Sequence, residues 1–131
     1  MKSFTDLEQS KKLAEILPIE SADMCYRIVA YNPDDTHVYQ PYCFVGTLES
    51  DIPCWSLASL LSVLPTYLFE FDRGIDLNVY PNLNGRGWHC SYMPNCIENM
   101  KTDKFKLITS GDTLVDACYE MILKLNKLNL L

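Results

Sequence analysis

The sequence predicts an α+β fold: a three- to four-stranded antiparallel meander with about three helices packed on one face. Three observations carry that expectation. Residues 111–131 repeat their apolar side chains at helical spacing, residues 75–80 alternate with a period of two, and two prolines bracket an apolar segment at 53–65. A chain of 131 residues is the length of one domain, so 1–131 is read as a single α+β domain with enough residues to bury a core.

Ser3 or Thr5 is suited to start a first helix reaching to about Leu17, with Phe4, Leu7, Leu13, Ile16 and Leu17 along its stripe. Pro18 stops it, because the residue before a proline avoids helical dihedrals. Residues 24–31, with Tyr26, Ile28 and Val29, read as a strand. Residues 32–52 hold Asn32-Pro-Asp-Asp35, Gln40-Pro41 and Ile52 ahead of Pro53 and read as a long irregular connection, with a short strand at 42–48. The 53–65 segment reads as a helix, with Pro53 in its first turn and Pro65 at its stop. Strands are then expected at 67–72, 75–80 and 88–93, with Gly74 in the first hairpin turn, Asn82 to Gly87 in the second, and a fourth strand at 105–109. The last helix starts at Asp112 or Thr113. Its face holds Leu114, Ala117, Cys118, Met121, Ile122, Leu125 and Leu128, and its acidic start and basic end suit the helix dipole.

Net charge is −6, and the eleven basic residues are scattered, which argues against a nucleic-acid binder because phosphate contacts need clustered Lys and Arg. The first residues carry no apolar leader and no run approaches the ~18 apolar residues of a membrane span, so a cytoplasmic protein with no membrane association is expected. Most of the six cysteines, Cys25, Cys43, Cys54, Cys90, Cys96 and Cys118, then read as reduced, small, buried hydrophobes.

Four constellations offer groups of the right type for chemistry. His89, Cys90 and Cys96, with His37 and Cys43, are ligand types for zinc, but they lack a Cys-x-x-Cys pair, and adjacent His89 and Cys90 face opposite ways on a strand. Cys54 is the thiol nearest a predicted helix start, where a thiolate is favoured, yet beside Trp55 it reads better as core. The carboxylate sets Asp34/Asp35, Glu49/Asp51 and Glu70/Asp72 fit a solvated strand face as well as they fit acid–base work. The Asn82 to Gly87 turn lacks the Lys and Ser/Thr of a phosphate loop. Tyr80 lies opposite Leu77 and Val79, where an aromatic marks a partner surface if exposed. No catalytic, cofactor-binding or metal residue is assigned, and no cofactor is expected.

Two resemblances add to this reading. Phe4-Thr-Asp-Leu-Glu-Gln-Ser-Lys-Lys-Leu-Ala-Glu-Ile-Leu-Pro-Ile-Glu-Ser-Ala-Asp-Met24, Pro53-Cys-Trp-Ser-Leu-Ala-Ser-Leu-Leu-Ser-Val-Leu-Pro65 and Asp116-Ala-Cys-Tyr-Glu-Met-Ile-Leu-Lys-Leu125 resemble small uncharacterised proteins of Bacteroides-type gut bacteria and their phages. Gly111-Asp-Thr-Leu-Val-Asp-Ala117 after a meander is similar to the strand-to-helix junction of HicB-type antitoxins. The first resemblance implies a phage- or mobile-element-related accessory protein. The second implies an acidic partner for a basic toxin. The expected function is therefore a non-enzymatic cytoplasmic interaction protein with a protein partner. An antitoxin-like binder and a small metal-binding or thiol enzyme domain are the alternatives.

Overall fold

In the computed structural model, which describes residues 1–70, 73–94 and 107–131, the chain is α+β and divides into two compact units. One unit is Ser3–Leu60; the other is Met1–Lys2 with Leu61–Leu131. The sequence predicts one sheet carrying the helices on a single face, but the described residues form two antiparallel sheets, of three and four strands.

In the first unit, helix α1 (Leu7–Ala14) starts later than Ser3 or Thr5. Asp6 is the N-cap because Gln9 stands three residues on. The Asp6 carboxylate accepts from Gln9 N (2.8 Å) and the Gln9 carbonyl accepts from Asp6 N (3.1 Å). Thr5 is instead a buried tie. Its N–H donates to Trp55 O (2.9 Å), its hydroxyl accepts from Trp55 N (3.1 Å), and its carbonyl accepts from the Tyr26 hydroxyl (2.8 Å).

Strand β1 (Met24–Tyr31) has the expected bounds. It lies between β2 (His37–Tyr42) and β3 (Ile52–Cys54), the latter absent from the sequence-based reading. The 32–52 segment is thus less irregular than expected, and its strand runs over 37–42 instead of 42–48. Pro41 and Pro53 disguise these strands. Both sit on sheet edges, where a missing N–H is tolerated. Pro53 therefore belongs to β3, and helix α2 (Leu57–Val63) begins four residues later, where the Ser56 hydroxyl accepts from Ser59 N (3.2 Å). The core of this unit includes Leu13, Met24, Cys25, Tyr26, Cys54 and Trp55.

The second unit is a plain meander. Strands β4 (Tyr67–Glu70), β5 (Arg73–Pro81), β6 (Trp88–Pro94) and β7 (Leu107–Gly111) pair in chain order. Arg73 and Gly74 lie inside β5, paired with Glu70 and Phe69, and not in the turn. The expected positions of Phe71, Asp72, Cys96 and Phe105 lie outside the described residues. The β5–β6 turn is closed by Asn82 N on Gly87 O (3.0 Å), and Gly87 holds φ 80°, with Gly111 O only 2.5 Å from where a Cβ would stand.

Helix α3 (Leu114–Lys127) packs on β6 and β7. Thr113 is its N-cap, accepting from Asp116 N (3.2 Å). At its far end Asn129 takes φ 56°, with Leu130 N on Leu125 O (2.9 Å) and Asn129 N on Asn126 O (3.1 Å), the two bonds of a Schellman motif. Val115 is buried where Leu114 is only partly covered, and Leu128 is exposed past the last turn, so the buried stripe begins one residue later and ends earlier than the periodicity implies.

Candidate interaction surface

The β1–β2 hairpin is buried at its base and bare at its tip. Along β1 the burial runs from buried Met24, Cys25 and Tyr26 to exposed Val29, Ala30 and Tyr31. Its register shifts between Ile28 and Ala30, leaving Val29 as an extra residue that bends the ribbon. Beyond that point Val29, Tyr31 and Val38 are 47%, 75% and 39% exposed. The tip is nevertheless well ordered by its own bonds. Asn32 N donates to Thr36 O (2.8 Å), the Asn32 amide to the Thr36 hydroxyl (2.8 Å), and the Thr36 hydroxyl to Asp34 (2.6 Å). The Asp34 carboxyl is held below its ordinary value by those Thr36 bonds, so it stays charged at the apex.

One face of the hairpin carries a row of rings. Tyr31 meets His37 edge-on at 4.9 Å, and His37 meets Tyr39 at 6.2 Å. Lys11 of α1 stands 5.9 Å from the Tyr39 ring. His37 is thus a stacking residue here, away from any ligand cluster.

Arg27 governs the hairpin's base. Its Nε and Nη2 grip the Asp51 carboxylate at 2.9 and 2.8 Å, and Asp51 also accepts from Leu48 N (3.0 Å). The Asp51 side chain is only 3% exposed. The Arg27 fork holds its carboxyl down to about 2 despite that burial. Phe44 lies over the guanidinium at 5.0 Å and beside Tyr42 at 5.3 Å. The loop between β2 and β3 is thereby folded against β1. With Ile19, Ala22 and Met24 it lines a shallow open groove rimmed by exposed Val45 and Leu48.

Among the described residues, the sequence-selected side chains do not converge on one point. His89 and Cys90 point to opposite sheet faces: His89 stacks on Tyr80 at 5.2 Å, while Cys90 is buried on the α3 side. Cys96 lies outside the described residues, and among the described residues no group of three His, Cys, Asp or Glu side chains converges. Cys54 closes β3 instead of opening a helix, and burial pushes its thiol up. Cys43 is exposed in the loop after β2. Asp34 and Asp51 are engaged by Thr36 and Arg27, and Asp35 occupies a left-handed turn position at φ 66°. Tyr80 is half-buried against His89, which weakens it as a partner contact.

Compared with protein-family models, curated proteins and solved structures, the chain matches none. Its surface must therefore be read from its own residues. The Arg27–Asp51 clamp was missed by sequence reasoning, since the partners are 24 positions apart. Its one local signal is a charged residue flanked by the apolar run of β1, which demands a partner. No helix among the described residues is long and apolar enough to cross a membrane.

Proposed function

We propose that the protein is a non-enzymatic cytoplasmic accessory protein, of phage or mobile-element type, that binds a protein partner through the β1–β2 hairpin. The observation that carries this reading is the exposure of Val29, Tyr31 and Val38 on an internally bonded tip. Apolar side chains on such a tip contribute little to folding and promote association, so their place is explained by contact with another surface. Tyr31 is the natural anchor, because a rigid amphipathic ring gains much area for little lost freedom. The resemblance to small proteins of Bacteroides-type bacteria and their phages supports the accessory role.

The test is capture from lysate of the native host by the tagged chain and by a Val29→Ser, Tyr31→Ser, Val38→Ser variant. The wild type is expected to retain a partner that the variant loses, with urea stability changed by less than about 0.5 kcal/mol per site. Equal recovery by both chains would remove the hairpin from the proposal.

A second reading follows from the acidic apex, where Asp34 and Asp35 adjoin the apolar tip. An antitoxin-like protein would set these carboxylates against a basic toxin. Its binding then weakens steeply with salt. Salt-independent affinity of the captured partner would exclude it.

A further inference from the structure

The meander unit holds two neighbouring buried thiols. Cys90 is on β6 and Cys118 on α3, and both are fully buried. The backbone brings them together through Thr109, which pairs with Cys90 across β6–β7. The Thr109 hydroxyl lies 2.7 Å from Ala117 O and 3.5 Å from Cys90 O, so one oxygen spans the two main chains beside both cysteines. The two buried thiols are close enough to perturb each other's titration. No other described cysteines share this arrangement. Cys25 and Cys54 lie on neighbouring strands, but Cys54 is level with Met24 and Cys25 with Pro53, so their side chains leave opposite faces of the sheet. Cys43 is exposed on its loop.

We propose that Cys90 and Cys118 form a reversible disulfide on exposure to hydrogen peroxide, joining β6 to α3. The Cys118 sulfur attacks the peroxide O–O bond. An S–O bond forms, the O–O bond breaks, and the leaving oxygen departs as water with the thiol proton. The Cys90 sulfur then displaces that hydroxyl from Cys118: the S–S bond forms, the S–O bond breaks, and a second water carries away the Cys90 proton. Two thiols are oxidised and one peroxide is reduced to two waters. Cys118 is the attacking sulfur because neighbouring Cys90 holds its thiol below the ordinary value, while Cys118 and burial push Cys90 up. Burial limits entry to a small oxidant, and an added thiol reverses the bond.

The experiment treats the full chain carrying Cys43→Ser and Cys96→Ser with hydrogen peroxide. The protein is then unfolded, alkylated and digested with trypsin. Removing Cys96 makes the map unambiguous, because it would otherwise share the tryptic peptide 87–101 with Cys90, whereas Cys118 lies in 107–124. The expected result is a chain lighter by two hydrogens, a linked 87–101/107–124 peptide pair, and recovery of both thiols after reductant. The unaltered chain, mapped by fragmentation, is expected to show the same link. Alkylated Cys90 and Cys118 after peroxide, separate sulfinic acids at the two positions, or a link to Cys25 or Cys54 would each overturn the proposal.

Discussion

Asp51 shows how a single side chain sets a pH response. Its carboxyl titrates at about 2 in the folded chain, because Arg27 grips it with two hydrogen bonds. In the unfolded chain an aspartate titrates near ~3.9. A lowered folded value means that the ionised form favours the fold. The contribution is complete above about pH 4, shrinks as pH falls, and is gone below about pH 2. Asp51→Asn is therefore expected to flatten the dependence of the urea midpoint on pH between ~4 and ~2 and to lower the midpoint at neutral pH. An unchanged acid limb would show that the pair does not report on folding. Gly46 is a second sensitive position. A Cβ there would meet Asp51 Cβ at 2.7 Å and Cys25 Cβ at 3.0 Å, so Gly46→Ala is expected to cost about 1–3 kcal/mol by urea titration. Little of this was legible beforehand. The sequence shows an arginine in need of a partner, but several carboxylates were available to it.

Helix α3 is where sequence and structure agree most closely, because a helix is specified by neighbours three and four residues away. Thr113, one of the two expected caps, is the cap observed. Thr113→Ala is expected to cost about 1 kcal/mol. Ile122→Ala, at a fully buried site, should cost about 2–5 kcal/mol. Chemical denaturation of the two variants checks both values, and a smaller loss for Ile122→Ala than for Thr113→Ala would refute the packing described for α3. Strands β2 and β3 were harder to foresee. Each is short, each contains a proline, and each owes its form to pairing with β1, which no window of local sequence records. The misplaced start of the 53–65 helix has the same origin, since Pro53 fits both an edge strand and a first helical turn.

At the scale of the whole molecule, charge is the property most directly set by composition. A net charge of −6 and a pI near 4.7 keep the chain repelling its copies at neutral pH. Solubility is expected to pass through a minimum near pH 4.7, with the exposed hairpin tip strengthening association there. Turbidity across pH 4 to 7 measures this, and the Val29→Ser, Tyr31→Ser, Val38→Ser variant should show a shallower minimum. An equal minimum in both chains would assign the effect to charge alone.

The sequence by itself determined the α+β class, the bounds of β1, the course of the meander through the described strands, and the terminal helix with its cap narrowed to Asp112 or Thr113. Each is written in short-range periodicity and in the chemistry of Gly, Pro and capping side chains. Only the tertiary structure decided that there are two sheets, that Arg27 closes on Asp51, that Cys90 meets Cys118, and that the apolar residues of the hairpin stay uncovered. These depend on contacts between residues far apart in the chain. Burial, too, is a property of what lies opposite a side chain, which its own neighbours in sequence do not specify.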